Sequence, residues 1–246
     1  MANVLIGSDP EVFLSQNGQI ISAIGLIGGD KKAPVPVVDG ALQEDNVLAE
    51  VNITPAASVG EFISRLRSVL NTLQNVTKSD IVIKPSHVFE KEYLMSIGGK
   101  AMTFGCEPDY CVYSGRNPRP SPYSCLRTAG GHIHVGSDDI DPVALVKTMD
   151  RLLALPSLFM DTDQQRRERY GKAGCYRLKP YGVEYRTLSN FWLQSEELMT
   201  WAYNTTIKAV EEHKKWNFDD DNLVVEAINT YNLDLANDLI HSYEVQ

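Results

Sequence analysis

The apolar residues up to about residue 192 occur in short runs in which they alternate with polar residues. Each run is bounded by Gly, Pro, Asn or Asp, which is typical of β-strands. Side chains of a strand point alternately to its two faces, so these runs predict strands with one buried face. The spacing of the runs favours a mostly antiparallel sheet. The predicted strands are residues 3–7, 11–15, 20–24, 47–54, 81–85, 110–113, 131–136 and 183–188.

Two helices are predicted within the strand-rich part. The first begins at Ser58, whose hydroxyl can cap the helix while Glu61 completes a capping box, and it continues at helical spacing to Leu73. The second follows Asp141 and Pro142, which are a cap residue and a proline suited to the first helical turn. Both helices should pack on the sheet.

The C-terminal part of the chain has an amphipathic helical pattern. The order of strands and helices predicts an α+β fold in a single catalytic domain over residues 1–246, with a sheet-forming part over 1–192 and C-terminal helices over 195–246. The predicted C-terminal helices are residues 196–215, 221–229 and 233–243.

The composition limits the class of protein. With 246 residues and a hydrophobic content of 43%, the chain is long enough for one substantial core. The formal net charge of −9 argues against binding to nucleic acid or to an anionic membrane surface, since both need a basic excess. No run of about 18 apolar residues and no secretory leader pattern is present, so we expect a cytoplasmic protein. The four cysteines lack metal-binding spacing, and we expect thiols without chemistry.

Residues two apart on a strand share a face, and this rule singles out four pairs of polar residues. A sheet face with this many acids would repel itself unless cations compensated it. Carboxylate oxygens with one or two imidazoles suit Mg²⁺ or Mn²⁺, so the pairs predict a divalent metal site. The pairs are Asp9 with Glu11, Glu50 with Asn52, His132 with His134, and Glu184 with Arg186.

Each pair also has a simpler interpretation when it is considered alone, as a turn or as a solvated strand face. For His132 and His134 a zinc site is the competing interpretation, although a third ligand close in sequence is lacking. Glycines flank these histidines and would let a ligand approach the backbone. Glu107 and Asp109 repeat the form of the first pair, and they either add ligands or shape a turn with Pro108.

A set of arginines supplies the matching positive charge. Guanidinium groups bind phosphate and carboxylate in bidentate geometry, so arginines beside a metal site indicate a substrate with several anionic oxygens. ATP together with a carboxylate fits this description, while the sequence contains no P-loop or kinase signature. Two segments rich in arginine, 115–123 and 161–176, are expected to be irregular. The arginines assigned to nucleotide and substrate are Arg127, Arg166, Arg167, Arg169, Arg177 and Arg186.

These motifs resemble those of a known superfamily, in the same chain order. Residues 130–136, Gly-Gly-His-Ile-His-Val-Gly, resemble the glycine and His-x-His strand of the glutamine synthetase and glutamate–cysteine ligase superfamily. Residues 184–186 resemble its Glu-x-Arg strand, residues 9–11 its first acidic pair, and residues 50–55 the Glu-x-Asn-x-Thr segment of glutamate–cysteine ligases. Over residues 4–192 the chain resembles the compact, mostly phage-encoded COOH–NH2 ligases, also called amidoligases.

The resemblance implies a curved antiparallel sheet of the glutamine synthetase catalytic type, with helices on one face, that cradles ATP and Mg²⁺ or Mn²⁺. It implies that His134 faces the nucleotide and that Arg186 holds the transferring phosphate. Glu107 or Asp109 is the expected acceptor of a proton from the amine. The implied metal ligands are Asp9, Glu11, Glu50, His132 and Glu184.

The expected reaction joins a small-molecule or peptide carboxylate to an amine through an acyl phosphate, in the host cytoplasm if a phage encodes the protein. Three alternatives stay open: a glutamate–cysteine-ligase-like enzyme acting on free amino acids, a metal-dependent hydrolase, and a non-catalytic descendant of the fold. The oligomeric state is also open, with a homo-oligomer as one option.

Overall fold

The protein is described by a computed structural model that covers residues 4–102, 110–116 and 125–244. Every pairing between its strands is antiparallel, which confirms the predicted α+β class and the predicted antiparallel character. The strands in these ranges are β1 (Leu5–Ser8), β2 (Glu11–Gln16), β3 (Gln19–Ile21), β4 (Val35–Val37), β5 (Gly40–Asp45), β6 (Leu48–Ile53), β7 (Asp80–Val82), β8 (Ser86–Val88), β9 (Tyr110–Cys111), β10 (Gly115–Arg116), β11 (Leu126–Thr128), β12 (Ile133–Gly136), β13 (Cys175–Lys179) and β14 (Gly182–Tyr185).

The strands form two larger sheets and one small one. The first sheet has the order β1-β12-β14-β13-β9-β10. The second has the order β3-β2-β6-β5-β4, and β7 pairs with β2 beside this path. The small sheet pairs β11 with β8.

Backbone hydrogen bonds join the two larger sheets near the β1–β2 turn. Ile6 pairs with Ala56 in an isolated bridge, which connects β1 to the end of β6. The Glu11 amide donates to the Gly130 carbonyl at 2.9 Å, just before β12. Asp9 lies in this turn, so its position is fixed by both sheets.

Five of the nine described α-helices were predicted, and the caps predicted for two of them are present. Ser58 accepts a hydrogen bond from the Glu61 amide at 3.3 Å, while the Glu61 carboxylate accepts one from the Ala57 amide at 2.9 Å. The Asp141 carboxylate caps the second predicted helix. A π-helical turn, Asp150–Ala154, and a 3₁₀ turn, Asn190–Gln194, are additional elements. The described α-helices are α1 (Val59–Thr77), α2 (Lys91–Ile97), α3 (Gly99–Met102), α4 (Pro142–Met149), α5 (Leu155–Met160), α6 (Gln164–Arg169), α7 (Glu196–Glu212), α8 (Asp221–Thr230) and α9 (Leu233–Glu244).

The main apolar core lies between the sheets and helices α1, α4 and α7. At its centre the ring of Phe62 stacks on Trp192, with centroids 5.8 Å apart, and contacts Tyr203 at 5.4 Å. A second apolar cluster joins α5, α8 and α9. No helix in the described ranges combines the length and apolar content that crossing a membrane requires.

The structure corrects the expectation that residues 161–176 are irregular. This segment contains α6, and β13 begins at its end. Helix α6 was missed because its sequence, Gln-Gln-Arg-Arg-Glu-Arg, has no apolar residue, and the buried positions of its turn are arginines. In the other segment expected to be irregular, Gly115–Arg116 forms β10, and residues 117–123 lie outside the described residues.

Candidate active site

A row of polar side chains crosses the first sheet. The register pairs Gly7 with His134, His134 with Glu184, and Glu184 with Arg177. Residues that pair directly across antiparallel strands point to the same face, so the three side chains lie side by side. Gly7 adds no side chain at its end of the row.

A second row crosses the other sheet. The register pairs Glu11 with Glu50, and Glu50 with Gln43, on strands β2, β6 and β5. Two buried carboxylates and a buried amide therefore share one face of this sheet.

Both rows belong to one cavity of about 560 Å³. Glu184 has no exposed surface and lies beneath its wall. The other seven residues of the four predicted pairs line the cavity, namely Asp9, Glu11, Glu50, Asn52, His132, His134 and Arg186.

One group of potential metal ligands contains Asp9, His134 and Glu184, whose ligand atoms lie within 4.8 Å of one another. The Asp9 Oδ1 is 3.0 Å from the His134 Nε2 and 3.1 Å from the His132 Nδ1. Burial raises the pKa of Asp9, but His134 and His132 outweigh this effect and hold it well below its usual range. Asp9 is therefore an anion in this cavity.

A second group contains Glu11, Asp45 and Glu50, whose oxygens also lie within 4.8 Å of one another. Burial, followed by the charge of Asp45, raises the pKa of Glu11 to about 8. Burial together with Asp9, Glu11 and Asp45 raises the pKa of Glu50 well above its usual value. Three carboxylates this close are ionised together only when a cation compensates them. The donor set is of the hard-oxygen type that suits Mg²⁺ or Mn²⁺.

Opposite these acids the cavity has a basic wall around Glu184. The Lys179 Nζ lies 2.6 Å from the Glu184 Oε2, and the Arg177 Nη1 lies 3.8 Å from its Oε1. Arg186 pairs with the same carboxylate. Burial and Asp9 raise the pKa of Glu184, but Arg186, His132 and Lys179 more than offset them and lower it to about 2. The positive charges of the wall exceed the one carboxylate they share.

His132 and His134 have different surroundings. The Nδ1 of His132 lies 3.2 Å from the Arg186 guanidinium, in addition to its contact with Asp9. A Cβ at Gly130 would lie 2.2 Å from the His132 Nε2, so this glycine accommodates the protein's own ring and not a ligand. The geometry groups His134, and not His132, with the carboxylates of the first metal-ligand group. The ligand role of His132 stays a prediction.

The cavity residues that were not recognised in the sequence include Asp45, Lys179 and Tyr181. The Tyr181 ring stacks on His134, with centroids 5.9 Å apart and an interplanar angle of 18°. Its hydroxyl lies 2.5 Å from the His134 Nδ1. Leu5 and Pro55 line the cavity as well, which gives it apolar wall surface besides the charged residues.

Most of the predicted arginines lie elsewhere in the fold. Arg177 and Arg186 line the cavity. Arg127 donates to the carbonyls of Ala101 and Leu126, Arg166 to those of Thr187 and Arg186, and Arg167 to the Ser157 hydroxyl. These three guanidinium groups are buried, they donate to acceptors of the protein itself, and they are not part of the cavity lining. Arg169 ends α6 and is also absent from the described lining.

The two predicted proton acceptors, Glu107 and Asp109, lie outside the described residues. Their assignment stays a prediction.

A buried carboxylate supports the wall from behind. Tyr185 and Thr187 point away from the cavity, on either side of Arg186 in the chain. Their hydroxyls donate to the Asp150 Oδ1 at 2.7 and 3.3 Å. Asp150 opens the π-helical turn, so this turn holds the segment that carries Glu184 and Arg186.

Comparison with known proteins agrees with the resemblance seen in the motifs. Residues 120–232 match the sequence model of a family described as phage phiEco32-like COOH.NH2 ligase-type 2. The match includes both histidines of the cavity and the Glu184–Arg186 pair, whereas Asp9, Glu11 and Glu50 precede it. A comparison with curated proteins gave no significant match.

Proposed function

We propose that the protein is an ATP- and Mg²⁺-dependent ligase that joins a carboxylate to an amine. The observation that carries this proposal is the separation of charge in the cavity, where Asp9 and the group Glu11–Asp45–Glu50 face a wall of Arg177, Lys179 and Arg186 that surrounds the buried Glu184. A nucleoside triphosphate with its divalent cations complements both sides, because the cations neutralise the acids and the phosphates neutralise the basic wall. The family match over residues 120–232 supports the same class of reaction.

The proposed reaction has two steps. A free carboxylate does not expel its oxygen when an amine attacks, so it first attacks the γ-phosphoryl group of ATP and becomes an acyl phosphate, with release of ADP. The amine then attacks the acyl carbon, loses a proton, and expels phosphate to leave an amide. This chemistry needs positioning and charge compensation more than covalent help from the protein.

The residues of the cavity have distinct roles in this proposal. The two groups Asp9–His134–Glu184 and Glu11–Asp45–Glu50 would hold Mg²⁺, which supplies charge neutralisation at the phosphates when it is bound. Arg186 and Lys179 orient the phosphoryl oxygens. Tyr181 offers a flat ring next to His134 for the base of the nucleotide.

The first test is binding by calorimetry with Mg·ATP and with Mg·tripolyphosphate, which has the phosphates but no nucleoside. We expect both to bind, and ATP to bind more tightly. A metal-dependent hydrolase or a non-catalytic descendant would bind neither, and this result would overturn the proposal.

The second test is a screen of carboxylates and amines for ATP-dependent phosphate release, with mass spectrometry of the products. Glu184→Gln removes a negative charge without changing the shape of the side chain. Changing a residue that only supports a metal ligand typically weakens metal binding by roughly 10–100-fold, so losing a ligand itself should weaken it at least as much. Glu226→Gln, an exposed carboxylate on α8, is the matched control and should change nothing. Equal turnover in both variants would exclude Glu184 from the reaction. Free glutamate with cysteine belongs in the screen, since a dipeptide product would identify the glutamate–cysteine-ligase-like alternative.

A further inference from the structure

Two cysteines face each other on neighbouring strands near the basic wall. The register pairs Cys175 of β13 with Cys111 of β9. The Val112 amide, one residue after Cys111, donates to the Gly174 carbonyl, one residue before Cys175, at 3.1 Å. In an antiparallel ladder this pattern marks Cys111 and Cys175 as a non-hydrogen-bonded pair.

The geometry of such a pair suits a disulfide. Cα atoms of a non-hydrogen-bonded pair are about 4.5 Å apart, and the side chains point to the same face. Disulfides span Cα separations of about 4.4–6.8 Å, so the pair falls inside this range without movement of the backbone. Both residues are thiols here, and the Cys111 thiol donates to the Ala173 carbonyl at 3.3 Å.

We propose that Cys111 and Cys175 are a modification site, at which a hydroperoxide oxidises the two thiols to an intramolecular disulfide. This proposal is independent of the ligase activity. The sequence directs attention to Cys106 and Cys111 as the close pair, whereas the fold brings Cys111 to Cys175, 64 positions away in the printed sequence.

Access is provided by the edge of the sheet. Cys111 is 6% exposed and Cys175 is 1% exposed, so neither thiol reacts in the closed structure as a surface thiol would. However, β9 and β10 form a hairpin of two-residue strands at the end of the first sheet, and among the described strands β10 pairs only with β9. Short edge elements open locally at low cost in free energy, and this opening exposes Cys111 first.

The reaction balances with one hydroperoxide. The Cys111 thiolate attacks the peroxide oxygen, the O–O bond breaks, and a sulfenic acid forms while water or an alcohol leaves. The Cys175 thiolate then attacks the Cys111 sulfur, the S–O bond breaks, and hydroxide leaves and is protonated to water. Two electrons pass from the thiols to the peroxide.

The product would affect the cavity wall. Cys175 lies two residues before Arg177, so the two side chains share a face of β13. The Cys175 carbonyl also accepts a hydrogen bond from the Arg186 amide at 2.9 Å. A disulfide would therefore fix the edge hairpin to the strand that carries the basic wall.

The test uses the whole chain treated with hydrogen peroxide, alkylated under denaturing conditions, digested and analysed by mass spectrometry. We expect a cross-linked peptide that contains Cys111 and Cys175, has lost two hydrogens, and disappears with dithiothreitol. A variant with Cys106→Ser and Cys125→Ser keeps only the proposed pair and should give the same product. Cys175→Ser should abolish it.

Thermal unfolding gives an independent readout. Because the bridge closes a long loop, oxidation should raise Tm by roughly 5–15 °C, and dithiothreitol should reverse the shift. A bridge from Cys106 to Cys111, a disulfide between two chains only, or thiols that survive excess peroxide would each overturn the proposal. These measurements use the wild-type chain and the double variant, so they do not depend on whether Cys175→Ser folds.

Discussion

The buried carboxylate behind the basic wall makes a sharp prediction about stability and pH. Asp150 has no exposed surface, and burial, only partly offset by hydrogen bonds from Tyr185 and others, raises its pKa from 3.8 to about 6. The difference corresponds to roughly 3 kcal/mol against the ionised form in the folded protein. The native state therefore holds a proton on Asp150 between about pH 4 and pH 6, where the unfolded chain has released it.

The sign of the effect follows from proton linkage. Stability rises with pH only where the unfolded state binds more protons, and here the folded state binds more. The contribution of Asp150 is thus fully present below pH 3.8 and is lost as the pH rises to about 6. Asp150→Asn cannot ionise, while its amide oxygen still accepts from the Tyr185 hydroxyl.

Urea unfolding at a series of pH values tests this reasoning. We expect the free energy of unfolding of Asp150→Asn, minus that of the wild type, to increase by about 2.5 kcal/mol between pH 4 and pH 7. Taking the difference between the two proteins cancels the pH-dependent contributions of all the other titratable groups, because both proteins contain them. A difference that stays constant with pH would refute the buried, proton-binding carboxylate. As a matched variant, Tyr185→Phe removes a hydrogen bond that favours the ionised form, so the fall in stability should extend to higher pH.

Three further predictions concern the cavity. Gly130→Ala should destabilise the fold by about 1–3 kcal/mol in urea unfolding because the added Cβ would meet the His132 ring. Gly60→Ala is the control, since open space surrounds this position in α1, and it should be neutral or stabilising. Equal effects of the two substitutions would contradict the packing of the His132 ring against Gly130. Lys179→Gln should weaken Mg·tripolyphosphate binding about 10-fold by calorimetry, whereas Lys179→Arg should retain it, and unchanged binding in both would remove Lys179 from the phosphate wall. Tyr181→Ala should weaken Mg·ATP binding by about 10-fold or more and leave Mg·tripolyphosphate unchanged, and a parallel loss for both ligands would show that Tyr181 does not contact the base.

The pairs at residues 50 and 52, 132 and 134, and 184 and 186 were predictable because each depends on local alternation, whereas Asp9 lies in the β1–β2 turn and not on a strand with Glu11. A polar residue placed two positions from another, between apolar neighbours, indicates a polar face in whatever sheet the strand joins. Seven residues of the four pairs line one cavity. The pattern could not show that the rows belong to two different sheets, because the contacts between Ile6 and Ala56 and between Glu11 and Gly130 join residues far apart in the chain.

Asp45, Lys179 and Tyr181 were missed because none of them lies in a strand that the sequence predicts. Asp45 ends β5, whose sequence Gly-Ala-Leu-Gln-Glu-Asp ends in three consecutive polar residues and therefore lacks the alternation that predicts a strand. Lys179 ends β13 and Tyr181 lies in the turn to β14, in a stretch for which the sequence pattern predicts no element. The buried arginines were assigned to the substrate because the sequence shows only that a guanidinium group is present. It cannot show whether that group contacts a phosphate or a backbone carbonyl such as that of Thr187.

The distribution of charge explains why metal and polyanion should bind together. The group Glu11–Asp45–Glu50 binds a cation well only when all three carboxylates are ionised, and the raised pKa values of Glu11 and Glu50 show that these two resist ionisation on their own. The basic wall has an excess of positive charge, because the cations of Arg177, Lys179 and Arg186 surround the single carboxylate of Glu184. A divalent ion offsets the repulsion among the carboxylates, and a phosphate chain offsets the repulsion among the cations of the wall. The bound metal ion also attracts the phosphates, and the bound phosphates attract the metal ion. Mg²⁺ should therefore bind more tightly with tripolyphosphate present than alone, and tripolyphosphate more tightly with Mg²⁺, by the same factor. Calorimetric titration in both orders measures the two factors, and binding that is independent of the partner would show that the two walls act separately.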